Sequence, residues 1–228
     1  MKTRALTKPD QDKVLAQTLI VNEIFLSIQG ETSLTGWPTV FVRLTGCPLR
    51  CRYCDTAYAF DAGEKMSLAA ILRAVSGYHT GRVTVTGGEP LAQKNCLSLL
   101  NLFCDENYQV SLETSGAVDI SGVDTRVIKI LDLKTPGSGE MQRNRYENLE
   151  LLRERDEIKF VICDRADYEW CKQKLAEYQL HEHCQVLFSC SHAQLPARTL
   201  ADWILEDRLP VRLQIQLHKY LWGDVPGK

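Results

Sequence analysis

Three cysteines lie close together in the segment Cys47-Pro-Leu-Arg-Cys51-Arg-Tyr-Cys54. Cysteine thiolates are the usual ligands of iron–sulfur clusters, and three of them on a [4Fe–4S] cluster leave one iron open to a small molecule. A structural zinc site normally takes four protein ligands, and no nearby histidine or cysteine supplies the fourth. We therefore predict that Cys47, Cys51 and Cys54 hold a [4Fe–4S] cluster, with a zinc site or three unrelated core cysteines as the alternatives.

A glycine-rich turn, Thr86-Gly87-Gly88-Glu89-Pro90, follows a β-branched run further along the chain. Glycine adopts positive φ values and lets the backbone approach a ligand closely, so this turn is a candidate cofactor site. Two more polar turns, 113–116 and 134–139, end the next two β-branched runs. Their candidate binding side chains are Ser115, Lys134 and Ser138, although ordinary turns have the same composition.

Strand and helix patterns alternate along the chain and predict the framework that positions these turns. β-branched runs predict strands over 39–45, 82–86, 108–113, 127–132, 157–163 and 184–189. Helical periodicity is found at 67–75, 95–104, 146–153, 168–178 and 199–206, with Ser67 as the N-cap of the first helix. This alternation predicts an α/β fold with parallel strands, either an open sheet or a partial barrel. The carboxyl ends of parallel strands meet at one edge, so we expect the turns to form one site.

The composition excludes several classes of protein. The net charge is −2, from 27 basic and 29 acidic residues with no block of like charge, which argues against nucleic-acid and membrane partners. Residues 1–20 contain no apolar run typical of a signal peptide or a membrane span, so we expect a reduced, cytoplasmic protein. Nine cysteines are then no disulfide framework. Those outside the cysteine triad are expected to pack in the core: Cys96, Cys104, Cys163, Cys171, Cys184 and Cys190.

The spacing CxxxCxxC, with Tyr53 just before the last cysteine, resembles the signature of the radical S-adenosylmethionine (SAM) superfamily. In that superfamily a GGEP-type turn contacts the amino group of SAM through its backbone, and the turn 86–90 matches it. The resemblance implies that the open iron chelates the amino and carboxylate groups of SAM. The implied SAM contacts are Tyr53, Gly87, Gly88, Glu89, Ser115, Lys134 and Ser138, and the loop at Cys190 falls near them.

Further segments resemble the 7-carboxy-7-deazaguanine synthase family of queuosine and 7-deazapurine biosynthesis. They run from Asn22 to Trp222 and include 22–31, Gly36, Arg43, 54–56, 134–139 and 216–222. The resemblance implies a partial (β/α)6 barrel. It also implies a radical ring contraction of 6-carboxy-5,6,7,8-tetrahydropterin to 7-carboxy-7-deazaguanine, with release of ammonia. Mg²⁺, a homodimer and an electron donor of the flavodoxin or ferredoxin type complete what it implies.

The same resemblance assigns the substrate contacts Ile28, Gln29, Glu31, Arg43, Thr86 and His218. The planar guanidinium of Arg43 suits a substrate carboxylate, while Gln29 and Glu31 offer donors and acceptors to a guanine-like edge. Thr56 offers one hard oxygen to Mg²⁺, an ion that often keeps water and substrate as its other ligands. The structural alternatives are a strand-end ion pair for Arg43, a turn hydroxyl for Thr56 and a core position for His218.

We expect a single domain over 1–228, in which 1–20 form an N-terminal extension and 210–228 a segment on the substrate side. One rival function is a radical SAM activase that generates a glycyl radical on a partner protein, which leaves Gln29, Glu31 and Arg43 unexplained. A second rival is a non-catalytic zinc-binding module, which predicts a colourless protein that does not cleave SAM.

Overall fold

A nine-stranded sheet forms the framework of the computed structural model, which describes residues 8–192, 194–225 and 227. The strands are β1 (Thr18–Ile28), β2 (Pro38–Leu44), β3 (Glu64–Ser67), β4 (Arg82–Gly87), β5 (Gln109–Thr114), β6 (Ile128–Asp132), β7 (Glu157–Ile162), β8 (Gln185–Cys190) and β9 (Arg212–Gln214). Their order is β3-β1-β2-β4-β5-β6-β7-β8-β9. Strand β1 is antiparallel to β2 and β3, and the strands from β2 to β9 are parallel.

The α/β architecture with an open sheet of parallel strands is confirmed. The six predicted strands are β2 and β4 to β8. Strands β1, β3 and β9 were not predicted from the sequence. In β1 the pairing register shifts between Val21 and Glu23, and this irregularity breaks the alternation of apolar and polar residues that marks a strand. Because β1 begins at Thr18 and Leu19 is buried in the core, the end of the expected extension 1–20 belongs to the sheet.

The helices are α1 (Lys8–Leu15), α2 (Leu68–Ser76), α3 (Cys96–Asp105), α4 (Arg165–Glu177), α5 (Leu180–His183), α6 (Ala197–Asp207) and α7 (Leu217–Trp222). Four of the five predicted helices are α2, α3, α4 and α6, and the Ser67 hydroxyl caps α2 by accepting from the Ala70 N–H at 3.2 Å. Within the described residues, no helix has the length and apolar character needed to cross a bilayer.

The helix predicted over 146–153 is wrong in type, because Tyr146–Leu151 forms 3₁₀ turns. The side chain of Asn148 is fully buried and donates to the carbonyls of Gly116 and Val118 at 3.2 and 2.8 Å. These contacts with the connection between β5 and β6 override the helical periodicity of the segment.

The hydrophobic core lies where the helices pack against the sheet. Its helical members include Leu68, Ile71 and Val75 of α2 and Leu99, Leu100 and Phe103 of α3, all fully buried. Each such side chain contributes about 1.5–3 kcal/mol of transfer free energy. The expectation for the remaining cysteines is confirmed for Cys96, Cys104, Cys171, Cys184 and Cys190, which are buried, whereas Cys163 is only partly so.

Residues 30–33, which follow β1, contact β7 and the C-terminal segment. The backbone N–H of Thr32 donates to the buried Gln214 side chain at 2.9 Å, and the hydroxyl of Ser33 donates to Glu157 of β7. The carbonyl of Gly30 accepts from the N–H of Leu217 at 3.0 Å. These contacts place α7 beside Glu31, over the ends of the strands.

Candidate active site

A cavity of about 650 Å³ lies at the carboxyl ends of the parallel strands, as expected from the turns in the sequence. Every predicted site residue except Glu89 and Ser138 lines it: Cys47, Cys51, Cys54, Thr56, Tyr53, Gly87, Gly88, Ser115, Lys134, Ile28, Gln29, Glu31, Arg43, Thr86 and His218. Cys190, expected near the SAM contacts, also lines it. The cavity thus brings the cysteine triad and the predicted substrate contacts into one space.

The cysteine loop is held by hydrogen bonds to the loop that follows β6. The N–H of Arg50 donates to Glu140 Oε1 at 2.6 Å, and the N–H of Arg52 donates to the carbonyl of Ser138 at 2.9 Å. The guanidinium of Arg50 also closes the loop on itself by donating to the carbonyl of Cys47 at 2.7 Å. The backbone on both sides of Cys51 is therefore anchored.

The three thiols suit an iron–sulfur cluster. Burial raises the pKa of Cys47 and raises that of Cys51 to about 11, so both are protonated thiols at neutral pH in the absence of metal. They lose these protons when they bind a metal, because the ligand is the thiolate. The Lys134 ammonium opposes both shifts and favours the thiolates. Each thiolate of a cluster binds a separate iron and the sulfurs need not converge on one point. Among the described residues, no three His, Cys, Asp or Glu side chains converge so as to hold one metal ion.

The glycine turn packs directly against the start of the cysteine loop. A Cβ atom on Gly88 would lie 2.3 Å from the carbonyl oxygen of Gly46 and 2.8 Å from Cys47 Cβ. A Cβ atom on Gly87, whose φ is +156°, would lie 2.2 Å from the carbonyl oxygen of Leu44. Because a side chain at either position would collide with backbone, the two motifs of the sequence form one rigid unit.

Glu89 and Ser138 do not line the cavity and are fully buried, so the SAM contacts assigned to them stay predictions. The Glu89 carboxylate accepts from the N–H and hydroxyl of Ser115 at 2.7 and 2.5 Å and from the Thr114 hydroxyl at 3.0 Å. The Ser138 hydroxyl donates to the carbonyl of Thr135 at 2.6 Å. Both side chains shape the neighbouring turns, and Glu89 holds Ser115 and Thr114, which line the cavity.

Arg43 lines the cavity and also forms an ion pair on its strand, which was the structural alternative to a substrate contact. Its Nε forms an ion pair with Glu23 Oε1 at 2.7 Å, and the guanidinium carbon lies 5.9 Å from the ring centroids of Phe25 and Tyr58. The side chain still lines the cavity. An arginine fixed through Nε keeps its terminal nitrogens available for an anion.

Gln29, Thr86 and Glu113 form a polar group on one wall of the cavity. The Thr86 hydroxyl donates to Glu113 Oε2 at 2.9 Å, and Gln29 Nε2 approaches Glu113 Oε1 at 3.5 Å. Burial raises the pKa of Glu113, and this outweighs the attraction of the Lys159 ammonium. Glu113 was not among the predicted site residues, although it is the second-last residue of β5, beside Thr86 in the same place on β4.

The residues around α7 close the other side of the cavity. His218 packs on Gly30, where a Cβ atom would lie 2.2 Å from His218 Nδ1, and burial lowers the pKa of His218. Asp55 accepts from Gln216 at 3.1 Å and from Thr56 at 2.9 Å. The Lys219 ammonium lies 2.9 Å from Asp55. Asp55 and Gln216 were not among the predicted site residues.

Lys159 and Asp132 were not predicted from the sequence. They lie between Glu31 on the substrate side of the cavity and Lys134 near the cysteines. The Lys159 ammonium lies 2.9 Å from Glu31 Oε2, and the Lys134 ammonium lies 3.0 Å from Asp132 Oδ1. Burial alone would raise the pKa of Glu31, but Lys159 and the hydrogen bond from Gln216 lower it below the usual value. Glu31 is therefore ionised at neutral pH.

Three thiols on a loop after a strand of an open parallel sheet, with a glycine turn packed on them, define a radical SAM domain. The Radical SAM superfamily model matches residues 41–134, which contain both motifs. The fold is also that of a solved structure, the crystal structure of QueE from Escherichia coli. That structure has a TM-score of 0.74 and 22% identity, over 93% of this chain and 100% of the other.

Sequence relatives identify the group within the superfamily. The 7-carboxy-7-deazaguanine synthase of Chlorobaculum tepidum is 46% identical over 90% of this chain and 94% of the relative. The 7-carboxy-7-deazaguanine synthase of Koribacter versatilis is 42% identical over 89% of this chain and 96% of the relative. The chain belongs to the 7-carboxy-7-deazaguanine synthase family.

Proposed function

We propose that the chain catalyses the radical SAM-dependent ring contraction of 6-carboxy-5,6,7,8-tetrahydropterin to 7-carboxy-7-deazaguanine and ammonia, in 7-deazapurine biosynthesis. The observation that carries this proposal is that one cavity is lined by the cysteine triad and by a pocket of complementary polarity for a carboxylated pterin. Family membership supports the same reaction, because relatives named 7-carboxy-7-deazaguanine synthase match this chain over nearly their whole length.

Cys47, Cys51 and Cys54 would hold the [4Fe–4S] cluster, with Lys134 and Ser115 beside it for the carboxylate and amino end of SAM. When bound, this cofactor pair supplies the radical chemistry, and the protein supplies orientation and electrostatics. The cluster-side wall is fixed by the contact of Gly88 with Gly46, which leaves no room for the turn to shift.

The chain's own residues bind and orient the pterin. We assign the substrate carboxylate to the terminal nitrogens of Arg43, because a charge-assisted pair with a planar guanidinium fixes direction as well as affinity. We assign the aminopyrimidinone edge to Gln29, Glu113 and Thr86, whose amide, carboxyl and hydroxyl groups offer both donors and acceptors. The Glu31 carboxylate, which also lines the cavity, is assigned to N–H groups of the pterin. Ile28 packs on the ring, and His218 covers it from α7.

Mg²⁺ is proposed beside Thr56. The support is that the Thr56 hydroxyl and the Asp55 carboxylate line the cavity, 2.9 Å apart. The Asp55 charge is already balanced by Lys219 at 2.9 Å. We therefore assign only the Thr56 oxygen to the ion and expect the substrate carboxylate and water as its other ligands.

Partners and location are part of the proposal. We propose a homodimer in the cytoplasm, an electron donor of the flavodoxin or ferredoxin type, and no nucleic-acid or membrane partner. The near-neutral balance of 27 basic and 29 acidic residues supports the last point.

The test is an anaerobic reaction of the reconstituted protein with dithionite, SAM, Mg²⁺ and 6-carboxytetrahydropterin, followed by chromatography and mass spectrometry. We expect 7-carboxy-7-deazaguanine and ammonia, and the Cys51→Ala variant as the matched control should form neither. Cleavage of SAM to 5′-deoxyadenosine without the deazapurine would contradict the proposed substrate and favour the activase alternative, in which the substrate is a protein.

A further inference from the structure

A row of four alternating charges crosses the cavity from the substrate side to the cysteine side. The distances along it are 2.9 Å from Glu31 Oε2 to Lys159 Nζ, 3.5 Å from Lys159 Nζ to Asp132 Oδ2, and 3.0 Å from Asp132 Oδ1 to Lys134 Nζ. All four side chains line the cavity and none exposes more than 15% of its surface. We call Glu31, Lys159, Asp132 and Lys134 the charge row.

The middle of the charge row is built into the sheet. Asp132 of β6 and Lys159 of β7 are direct partners in the parallel pairing, and the N–H of Leu133 donates to the carbonyl of Lys159 at 2.9 Å. The two side chains therefore start from fixed neighbouring backbones. Glu31 and Lys134 lie on the loops that follow β1 and β6, at the two ends of the row.

The charges of the row compete for one another. Lys159 is shared between Glu31 and Asp132, and Asp132 is shared between Lys159 and Lys134. Other groups that face the row are Glu113, Gln216, His218 and Cys51. In a buried setting such pairs are strong and poorly screened, so a change at one end of the row alters the pairing at the other.

We propose that Lys159 and Asp132 are positioning residues that couple the pterin and SAM sites, so that pterin binding at Glu31 strengthens SAM binding at Lys134. The inference rests on the proposed function. N–H groups of the pterin draw the Glu31 carboxylate toward the ligand and away from Lys159. Lys159 then pairs more closely with Asp132, and Asp132 releases Lys134 to bind the SAM carboxylate.

The experiment measures SAM binding to the cluster-loaded protein, without reductant, so that no turnover occurs. Equilibrium dialysis with radiolabelled SAM gives the dissociation constant with and without saturating 6-carboxypterin, an oxidised analogue. In the wild type we expect the analogue to lower the SAM dissociation constant by about fivefold or more. By linkage, SAM should tighten binding of the analogue by the same factor.

Two variants interrupt the charge row at its middle. One variant is Asp132→Asn, which is nearly isosteric, and the other is Lys159→Met. In both, the analogue should change the SAM dissociation constant by less than about twofold. Lys159→Arg keeps the charge and should retain the coupling. Lys129→Met is the matched control, because it removes a buried lysine of β6 that pairs with Asp156 at 2.7 Å away from the cavity. It should lower stability and leave the coupling intact.

A second measurement, of SAM binding alone, needs no pterin. Because Asp132→Asn frees Lys134 permanently, this variant should bind SAM alone more tightly than the wild type does. Equal or weaker SAM binding by Asp132→Asn would overturn the proposal, and so would coupling that survives in both interrupted variants. If the wild type bound no pterin, the proposed substrate would fail, while the measurement of SAM binding alone would still decide the role of Asp132.

Discussion

The contact between Gly30 and His218 makes the C-terminal closure of the cavity testable with one methyl group. In Gly30→Ala the new Cβ would lie 2.2 Å from His218 Nδ1 and 2.9 Å from the backbone nitrogen of His218. Rotation of the imidazole relieves only the first contact. The second requires the start of α7 to move away, and the hydrogen bond from the Leu217 N–H to the Gly30 carbonyl must stretch with it.

The cost follows from the rigidity of these partners. Overpacking that forces backbone to shift costs about 1–3 kcal/mol. If this cost falls on the closed position of α7 that the substrate requires, the dissociation constant for the pterin rises by about 5- to 150-fold. The atoms nearest to the new methyl group all belong to His218 and none to the cysteine loop, so SAM binding should fall less than pterin binding.

The assay is binding of 6-carboxypterin to the anaerobic, cluster-loaded protein by fluorescence, with SAM binding as the internal comparison. Gly81→Ala is the matched control, because a Cβ atom there meets nothing within 4 Å. The combination of Gly30→Ala with His218→Ala should restore little pterin affinity, since the backbone contact remains. Wild-type pterin affinity in Gly30→Ala, or an equal loss of SAM binding, would refute the role assigned to α7.

The remaining predictions concern the cluster, the carboxylate contact and the core. Cys51→Ala should lose the visible iron–sulfur absorbance, and reconstitution of the wild type should be faster at pH 9 than at pH 7, because the pKa of Cys51 is about 11 and the thiolate is the ligand. Gly88→Ala should also fail to assemble the cluster, measured as iron per chain, because the new methyl group meets the Gly46 carbonyl. Arg43→Ala should raise the pterin KM by about 10- to 150-fold, the range for a charged hydrogen bond, whereas Glu23→Gln should change it much less. Asp156→Ala should lower the free energy of unfolding in urea by about 3–5 kcal/mol, because it leaves the Lys129 ammonium buried and unpaired; a loss below 1 kcal/mol would contradict this account.

The amino-acid sequence by itself determined the parts of the protein that depend on local spacing. Cys47, Cys51 and Cys54 lie on one loop, so their separation along the chain limits their separation in space. The glycine turn at 87–88 was recognisable for the same reason, since its conformation is set by the residues within it. The six central strands also followed from local pattern, because strands buried in a parallel sheet read as short β-branched runs.

Tertiary structure alone decided which polar side chains enter the cavity. Glu89 sits in the most recognisable turn of the chain yet points into the wall, toward Ser115. Asp132 and Lys159 are 27 positions apart and carry no motif, yet the pairing of β6 with β7 sets them side by side. Sequence pattern reports the environment of each strand, but the facing partner depends on strand order and register, which arise only when the whole sheet assembles.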